Sequence, residues 1–257
     1  LKAAQKAPAE EQYRNCSECV EVINRAIRKE PESAMLYLNR AQFLYACEPV
    51  FVSAGQPSSM EQVFKDLNTA IEKYPNGYHG YRLLAQIETD RENYEAAIAA
   101  DEKGLIITPN DFDSLLRIGV NRILYGGELE VSGGREKALD QYNRAIINLE
   151  AAVAIKKGDA TAQYYLALAY RKAGFEEKAA EKFEMIRIVI EKLAEANPDD
   201  PFLHFLMGGI YENTGDIERA RGEYERALDL APNYKAARKA LERLASPAEG
   251  TPASSQQ

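Results

Sequence analysis

Two pairs of prolines in this chain, Pro75 with Pro109 and Pro198 with Pro232, are each separated by 34 residues. A fixed period of that length marks a supersecondary unit repeated along the chain, and such a unit cannot bury its apolar faces alone. Neighbouring copies must stack, which restricts the chain to an array that grows by addition. The clearest copy runs from Pro201 to Pro232, PFLHFLMGGIYENTGDIERARGEYERALDLAP. Small residues at Gly208, Ala220 and Ala227 allow two helices to approach closely, and Tyr211 and Tyr224 fill the space beside them. Gly215 predicts the stop of the first helix, Asp216 a cap for the second, and Pro232 its end.

Diluted copies recur towards the N-terminus. One reads Leu166-Ala167-x2-Tyr170, Gly174, Ala179-x3-Phe183; another Ile118-Gly119, then Ala138-x3-Tyr142-x2-Ala145. Tyr81-x2-Leu84-Ala85 precedes Ala97, Gly104 and Pro109, and Tyr37 to Ala41 precedes Leu67, Ala70 and Pro75. With His204-x2-Met207-Gly208-x2-Tyr211 and Ala220-x3-Tyr224-x2-Ala227, this pattern resembles the tetratricopeptide repeat family. The resemblance implies an all-α, right-handed superhelical solenoid of about 12 helices. The expected organisation is a flexible tail over 1–11 and a solenoid over 12–245, followed by a second flexible tail over 246–257. Within the solenoid, a leading helix spans 12–30 and repeats span 32–75, 77–109, 111–158, 160–198 and 200–233, with a cap helix over 234–245.

Two stretches break the rhythm. Residues 47–60 (CEPVFVSAGQPSSM) and 126–134 (GGELEVSGG) read as expanded turns, either functional or simply disordered. The glycines of the second are not a phosphate loop, because no Gly-Lys-Ser/Thr follows. The second helices of the third and fourth repeats also run about seven residues long, roughly two turns, which keeps the apolar face nearly in phase. The added turns carry Ala151, Ala152, Val153 and Ile155, then Ile188, Val189, Ile190 and Leu193. Either these extensions pack on each other and on the next first helix, or they project as a contact site.

The formal charge of −8 argues against nucleic acid as a partner, since phosphate backbones are held by clustered Lys and Arg. No apolar run approaches the roughly 18 residues of a membrane span. The start at Leu1 and the Ala/Pro-rich ends suggest an exported (periplasmic or extracellular) or membrane-tethered protein, with the cytoplasm as the alternative.

The resemblance also implies where a partner would bind. In the family, the first helix of each pair lines a concave groove with its non-core side. The corresponding residues are Met35, Leu38, Gln42 and Tyr45 in the first repeat, then His79, Arg82, Gln86 and Thr89 in the second. The third supplies Asp113, Leu116, Val120 and Ile123, the fourth Thr161, Tyr164, Leu168 and Arg171, and the last Phe202, Phe205, Gly209 and Glu212. Family members that clamp a peptide carboxylate place Lys, Asn and Arg here. Leu38, Leu116, Tyr164 and Phe205 occupy those places instead, which suits an apolar or amphipathic segment of a protein partner. Alternatively, the side chains meet each other or a sister subunit, giving a homo-oligomer, filament or larger complex.

Cys16, Cys19 and Cys47 admit three readings. If the first two helices form a hairpin around Pro31, Cys47 faces Cys16, so the thiols are small packing residues, a disulfide with Cys47, or a metal site. Val20 after Cys19 excludes a haem-attachment motif, and only His79 and His204 are available as imidazole ligands. His204 stands at an aromatic packing position and reads as structural. No nucleophile–base set stands out, so the expectation is a non-catalytic scaffold without cofactor or metal.

Overall fold

A computed structural model of the chain describes residues 9–245. Most of the two expected tails lies outside that span, but residues 9–11 already belong to the first helix, so the leading helix begins earlier than its sequence suggested. The fold is an all-α tetratricopeptide-like solenoid. Twelve helices follow one another among the described residues: α1 (Ala9–Lys29), α2 (Ala34–Ser53), α3 (Met60–Lys73), α4 (Tyr78–Asp90), α5 (Tyr94–Ile107), α6 (Phe112–Val131), α7 (Arg135–Ile155), α8 (Ala160–Lys172), α9 (Glu176–Ala196), α10 (Pro201–Thr214), α11 (Ile217–Leu230) and α12 (Lys235–Ala245). They group into two compact units, Leu1–Tyr125 and Gly126–Gln257.

The first unit stacks α1 on α2, α2 on α3, and α4 on α5. Its core is built around Ala41, Leu44, Phe51, Val63, Leu67 and Ile87. The second unit packs α7 on α8, α8 on α9, α9 on α10, α10 on α11 and α11 on α12. In α11 the small–aromatic–small register works as its spacing implies: Ala220, Tyr224 and Ala227 are all buried. Gly215 adopts the left-handed conformation at the end of α10, and the Asp216 carboxylate accepts from the Arg219 amide at 3.2 Å to start α11. Asp159 and Asp200 cap α8 and α10 in the same way.

The two expanded turns are corrected. Residues 47–53 continue α2 through Pro49. An internal proline costs a helix about 3 kcal/mol, and the burial of Phe51 recovers roughly 1.5–3 kcal/mol of this. The bond from Cys47 to Cys16 further anchors the added turn. Only residues 54–59 are left as a connection. Its far end is held by the Glu48 carboxylate, which accepts from the Ser58 hydroxyl at 2.5 Å and from the Ser59 amide at 2.8 Å.

Likewise, α6 runs through the glycine pair to Val131, and the turn shrinks to 132–134. Gly126 is there for space: a Cβ at that position would collide with the ring of Tyr142, which is buried on α7. The helix then ends at Ser132-Gly133-Gly134, where the Gly134 amide donates to the Leu129 carbonyl at 2.7 Å.

The elongated second helices are present. α7 and α9 each have 21 residues, against 14 in α3, α5 and α11. Their added turns are only partly covered. Ala152 and Ile190 are buried, whereas Ile155, Ile188, Val189 and Leu193 remain exposed.

Candidate protein-interaction face

Within the first unit, the first helices α2, α4 and α6 are joined by polar ties along the side that the repeat register assigns to the groove. The Tyr45 hydroxyl donates to Asp90, whose other carboxylate oxygen accepts from Gln86 Nε2 at 3.0 Å. Arg82 pairs with Asp113 at 3.5 Å, and Asn121 Nδ2 donates to Thr89 Oγ1 at 2.8 Å. Burial raises the Tyr45 phenol well above its ordinary value, and its bond to the Asp90 carboxylate raises it further.

From behind, the second helices fix these first helices through buried ion pairs. Arg40 forks onto Asp66 at 2.7 and 2.6 Å and also donates to Asn24 at 2.7 Å. Arg117 forks onto Asp101 at 2.7 and 2.5 Å. Burial pushes the Asp101 carboxyl up even against the stabilising guanidinium. Such planar, two-bond pairs set the rotation of a helix as well as its position.

On this frame Met35, Gln42, His79, Arg82 and Gln86 are exposed, and Leu38, Tyr45, Leu116 and Val120 are half-buried. Ile123 is a correction: it is buried and offers nothing to a partner. The His79 ring lies on the Tyr78 ring, with centroids 3.9 Å apart.

The second unit behaves differently. Tyr164, expected in the groove, is buried against Tyr165 and Phe183, with ring centroids at 5.2 and 6.0 Å, and its hydroxyl sits over Gly209. Phe205 packs between Tyr224 and Tyr234, at 5.8 and 5.3 Å. Glu212 is occupied within the unit, accepting from the Tyr224 hydroxyl at 2.7 Å and from Arg243 at 3.0 and 2.7 Å. Arg171 pairs with Glu176 at 3.1 Å, and Thr161, Leu168 and Phe202 are half-buried. Tyr164 and Gly209 are therefore core, and Phe205 and Glu212 serve internal packing. Gly209 was the available signal: beside Gly208 it leaves a gap that an aromatic from the preceding pair fills.

The groove mapping also passed over an apolar stripe. Met185, Ile188, Val189 and Leu193 are all exposed on α9 at spacings of three, four and eight residues from the first, which is one helical face.

The cysteines separate. Cys16 and Cys47 form a disulfide with Cα atoms 6.2 Å apart, and Cys19 is free and exposed. Neither a buried Cys19 nor a three-thiol cluster is present. Among the described residues, no group of three or more His, Cys, Asp or Glu side chains is placed to hold a metal. His204 lies between the Glu223 carboxylate, 2.7 Å from Nδ1, and the Pro198 carbonyl, which accepts from Nε2 at 2.9 Å. Its role is structural.

Paired helices in a small–aromatic–small register define the class: a helical-repeat protein whose surfaces are assembled from successive first helices. Residues 201–234 match the model of the tetratricopeptide repeat, and the chain as a whole has the fold of a tetratricopeptide-like solenoid. That fold is in general a scaffold for protein–protein interaction and is typically non-catalytic.

Two human proteins are similar in sequence. Protein O-mannosyl-transferase TMTC1 is 23% identical over 85% of this chain, and mitochondrial import receptor subunit TOM70 is 25% identical over 50% of it. The matches span only 19% and 25% of those proteins' own lengths. Among solved structures, PilW, a type IV pilus biogenesis factor, superposes with a TM-score of 0.57 at 16% identity, covering 91% of this chain and 94% of its own. TTC0263, a tetratricopeptide protein of Thermus thermophilus, gives 0.56 at 17%, covering 82% and 98%. Likenesses at these identities concern the fold. Among the described residues, no helix is long and apolar enough to cross a membrane.

Proposed function

We propose that the chain is a non-catalytic adaptor that holds an apolar or amphipathic segment of a partner protein against the α2, α4 and α6 face of the first unit. The observation that carries this reading is the pairing of half-open apolar side chains, Leu38, Leu116 and Val120, with exposed Gln42, His79, Arg82 and Gln86 on helices tied to one another. Apolar anchors supply affinity and the polar surround fixes orientation. The aromatics of the second unit, Tyr164 and Phe205, pack inward, so the reading is confined to the first unit.

The test is a photo-crosslinking side chain introduced at Leu38 or Leu116, compared with one at Ile217, which is exposed on α11 of the second unit. A discrete partner adduct at the first two positions is the expected result, the adduct at 38 being lost in a Leu116→Ser background and the adduct at 116 in a Leu38→Ser background. Adducts of equal yield at Ile217, or adducts that survive the serine substitutions placed around the probe, would sink the groove reading.

A structural subunit of a larger assembly is the second reading, favoured by the stripe Met185, Ile188, Val189 and Leu193. Exposed apolar faces of this kind mark interaction surfaces. Ile188→Glu with Leu193→Glu would then shrink the native complex in size-exclusion light scattering while leaving the Leu38 adduct intact.

A further inference from the structure

An open cavity of about 430 Å³ is shared by α7, α8 and α9 of the second unit. Buried Leu166 and half-buried Val153 give it an apolar floor. Lys157, in the turn after α7, and Lys182 of α9 line it together, and the Gln163 amide touches both residues. Its Oε1 accepts from Lys182 Nζ at 3.2 Å, and its Nε2 donates to the Lys157 carbonyl at 3.0 Å. Among the described residues, neither lysine is paired with a carboxylate. That sets half-buried Lys182 apart from Arg117, Arg122 and Arg187, which are enclosed to a similar or greater degree and hold carboxylates at 2.5, 2.5 and 2.6 Å. An ammonium has three donors, and Gln163 takes one of those on Lys182. An enclosed cation offered only a neutral amide is short of a counter-charge.

The other charges around the cavity give it a direction. Its acidic group, Glu150, stands seven residues before Lys157, about 10 Å along the axis of α7, and accepts from the Tyr170 hydroxyl at 2.5 Å. Lys178 lies over the Tyr170 ring, 5.3 Å from its centroid, and Lys156 adjoins Lys157 in the turn, so cations outnumber the one acid. Asp159 is spent on the Ala162 amide at 2.8 Å, and Glu184 on Arg187. Glu181 points away from Lys182 by roughly a quarter-turn of α9. A carboxylate is therefore drawn to the end held by Lys157 and Lys182 and repelled from the end held by Glu150. Beyond Lys182, exposed Met185 and Val189 stand three and seven residues further along the same helical face. The apolar footprint thus continues outside the cavity, which suits a chain with an acid between apolar side chains and not a small anion.

We infer that this cavity takes an acidic residue of a partner protein flanked by apolar side chains. The partner's carboxylate sits between Lys157 and Lys182, one apolar neighbour rests on Val153 and Leu166, and the other rests on Met185 and Val189. Charge-assisted bonds to the ammonium groups fix the orientation, and the apolar contacts supply affinity. The first-unit face does not enter, since the cavity lies within the second unit. The inference deepens the assembly reading by naming the chemistry of what covers this side of α9. Its test leaves Ile188 and Leu193 untouched, so the two fail separately.

The experiment titrates the 257-residue chain into a dansyl-labelled peptide with blocked ends, Ser-Leu-Glu-Leu-Ser, and follows fluorescence anisotropy. The expected result is saturable binding, with the glutamine analogue of the peptide weaker by about tenfold or more. Lys157→Glu/Lys182→Glu weakens the glutamate peptide to a similar extent and makes the lysine analogue the preferred ligand. Lys157→Gln/Lys182→Gln abolishes the preference for glutamate over glutamine without reversing it. Helical circular dichroism stays unchanged in both variants, and Leu38→Ser/Leu116→Ser leaves binding as it was. Absence of binding up to millimolar concentration overturns the inference, as does equal affinity for the glutamate and glutamine peptides. So does binding indifferent to both lysine variants, or lost with Leu38 and Leu116. Tighter binding of the glutamine peptide once its C-terminal carboxylate is unblocked would give the site to a chain end instead.

Discussion

The hydroxyl of Tyr164 on α8 occupies the volume that a Cβ on residue 209 of α10 would need. This relationship joins two successive helix pairs of the second unit and removes an aromatic from the proposed binding face. Both residues are buried, so a methyl group at 209 has no room to relax into. Gly209→Ala is expected to destabilise the second unit by about 1–3 kcal/mol, the usual range for overpacking. Denaturant unfolding would read this as a lower midpoint at unchanged slope. An unaltered midpoint would mean that the two helices slide apart freely. The same geometry makes Tyr164→Ser a poor probe of partner binding, since it would empty a core site.

Several tyrosines around that contact share one electrostatic condition. Burial raises the phenols of Tyr164, Tyr224 and Tyr234, and pushes Tyr165 up to about 12. A group that ionises later in the folded state than in the unfolded state contributes stability that is full below the unfolded value. That contribution is lost as pH rises through the folded value. Alkaline titration should therefore show these phenols ionising together with unfolding of the second unit, not at their ordinary value of 10.0. Tyrosinate absorbance and circular dichroism, followed in one titration, would check this. Smooth ionisation near 10 with helicity intact would contradict the buried placement.

Acid acts on the other unit through Glu48. Burial disfavours its carboxylate, but the bonds from Ser58 and Ser59 outweigh that and hold its pKa below the ordinary 4.5. The sign is that of a depressed acid: the stabilisation is complete above about pH 4.5 and falls away as pH drops through the folded value. Glu48→Gln is expected to flatten the acid limb of the stability curve for the first unit. Ser58→Ala/Ser59→Ala, which removes the hydroxyl donors, should have a similar effect. A variant whose acid limb matches the parent would assign the limb to other carboxylates.

How much of this was legible beforehand follows from what each residue does. Pro232, Gly215 and Asp216 act through local backbone chemistry, so the helix boundaries around them could be read directly. Ala220, Tyr224 and Ala227 act through a fixed register, which is why the pairing of α10 with α11 was also readable. Gly126 is different. Glycine permits a turn, but it also permits a ring to lie against a helix, and only the position of Tyr142 decides between the two uses. Residues 47–60 read as an expanded turn because the cost of a helical Pro49 is local, whereas the gain from Phe51 and Cys47 comes from α1, distant in sequence. The groove positions were assigned by register alone. Register cannot tell whether an outward aromatic such as Phe205 meets solvent or a neighbouring ring such as Tyr234.

Beneath the first-unit face, Arg40 and Asp66 form an ion pair in which the carboxylate is 1% exposed and the guanidinium 17%. Removing one member of such a pair strands the other charge, at a cost of about 3–5 kcal/mol, whereas replacing both by apolar groups of similar size is often neutral. Asp66→Ala should accordingly lower the unfolding free energy of the first unit far more than Arg40→Met/Asp66→Leu does. Equal losses in the two variants would mean that packing volume, not charge, governs the site.

Cys16 and Cys47 close a loop across a sequence separation of 31 residues. Chain-entropy arguments for loops of that size give roughly 3–4 kcal/mol of stabilisation, mostly by restricting the unfolded chain. Reduction, or Cys16→Ser, should therefore lower the stability of the first unit by that order while leaving the second unit unchanged. It should also loosen the last turn of α2 beyond Pro49, which the bond and Phe51 together hold. Thiol titration of the unreduced, denatured chain is expected to find one reactive cysteine, Cys19, and three after reduction. Hydrogen exchange over residues 49–53 would then rise on reduction. Three thiols before reduction would show that the pair is not oxidised, and unchanged exchange would show that Phe51 alone secures the turn.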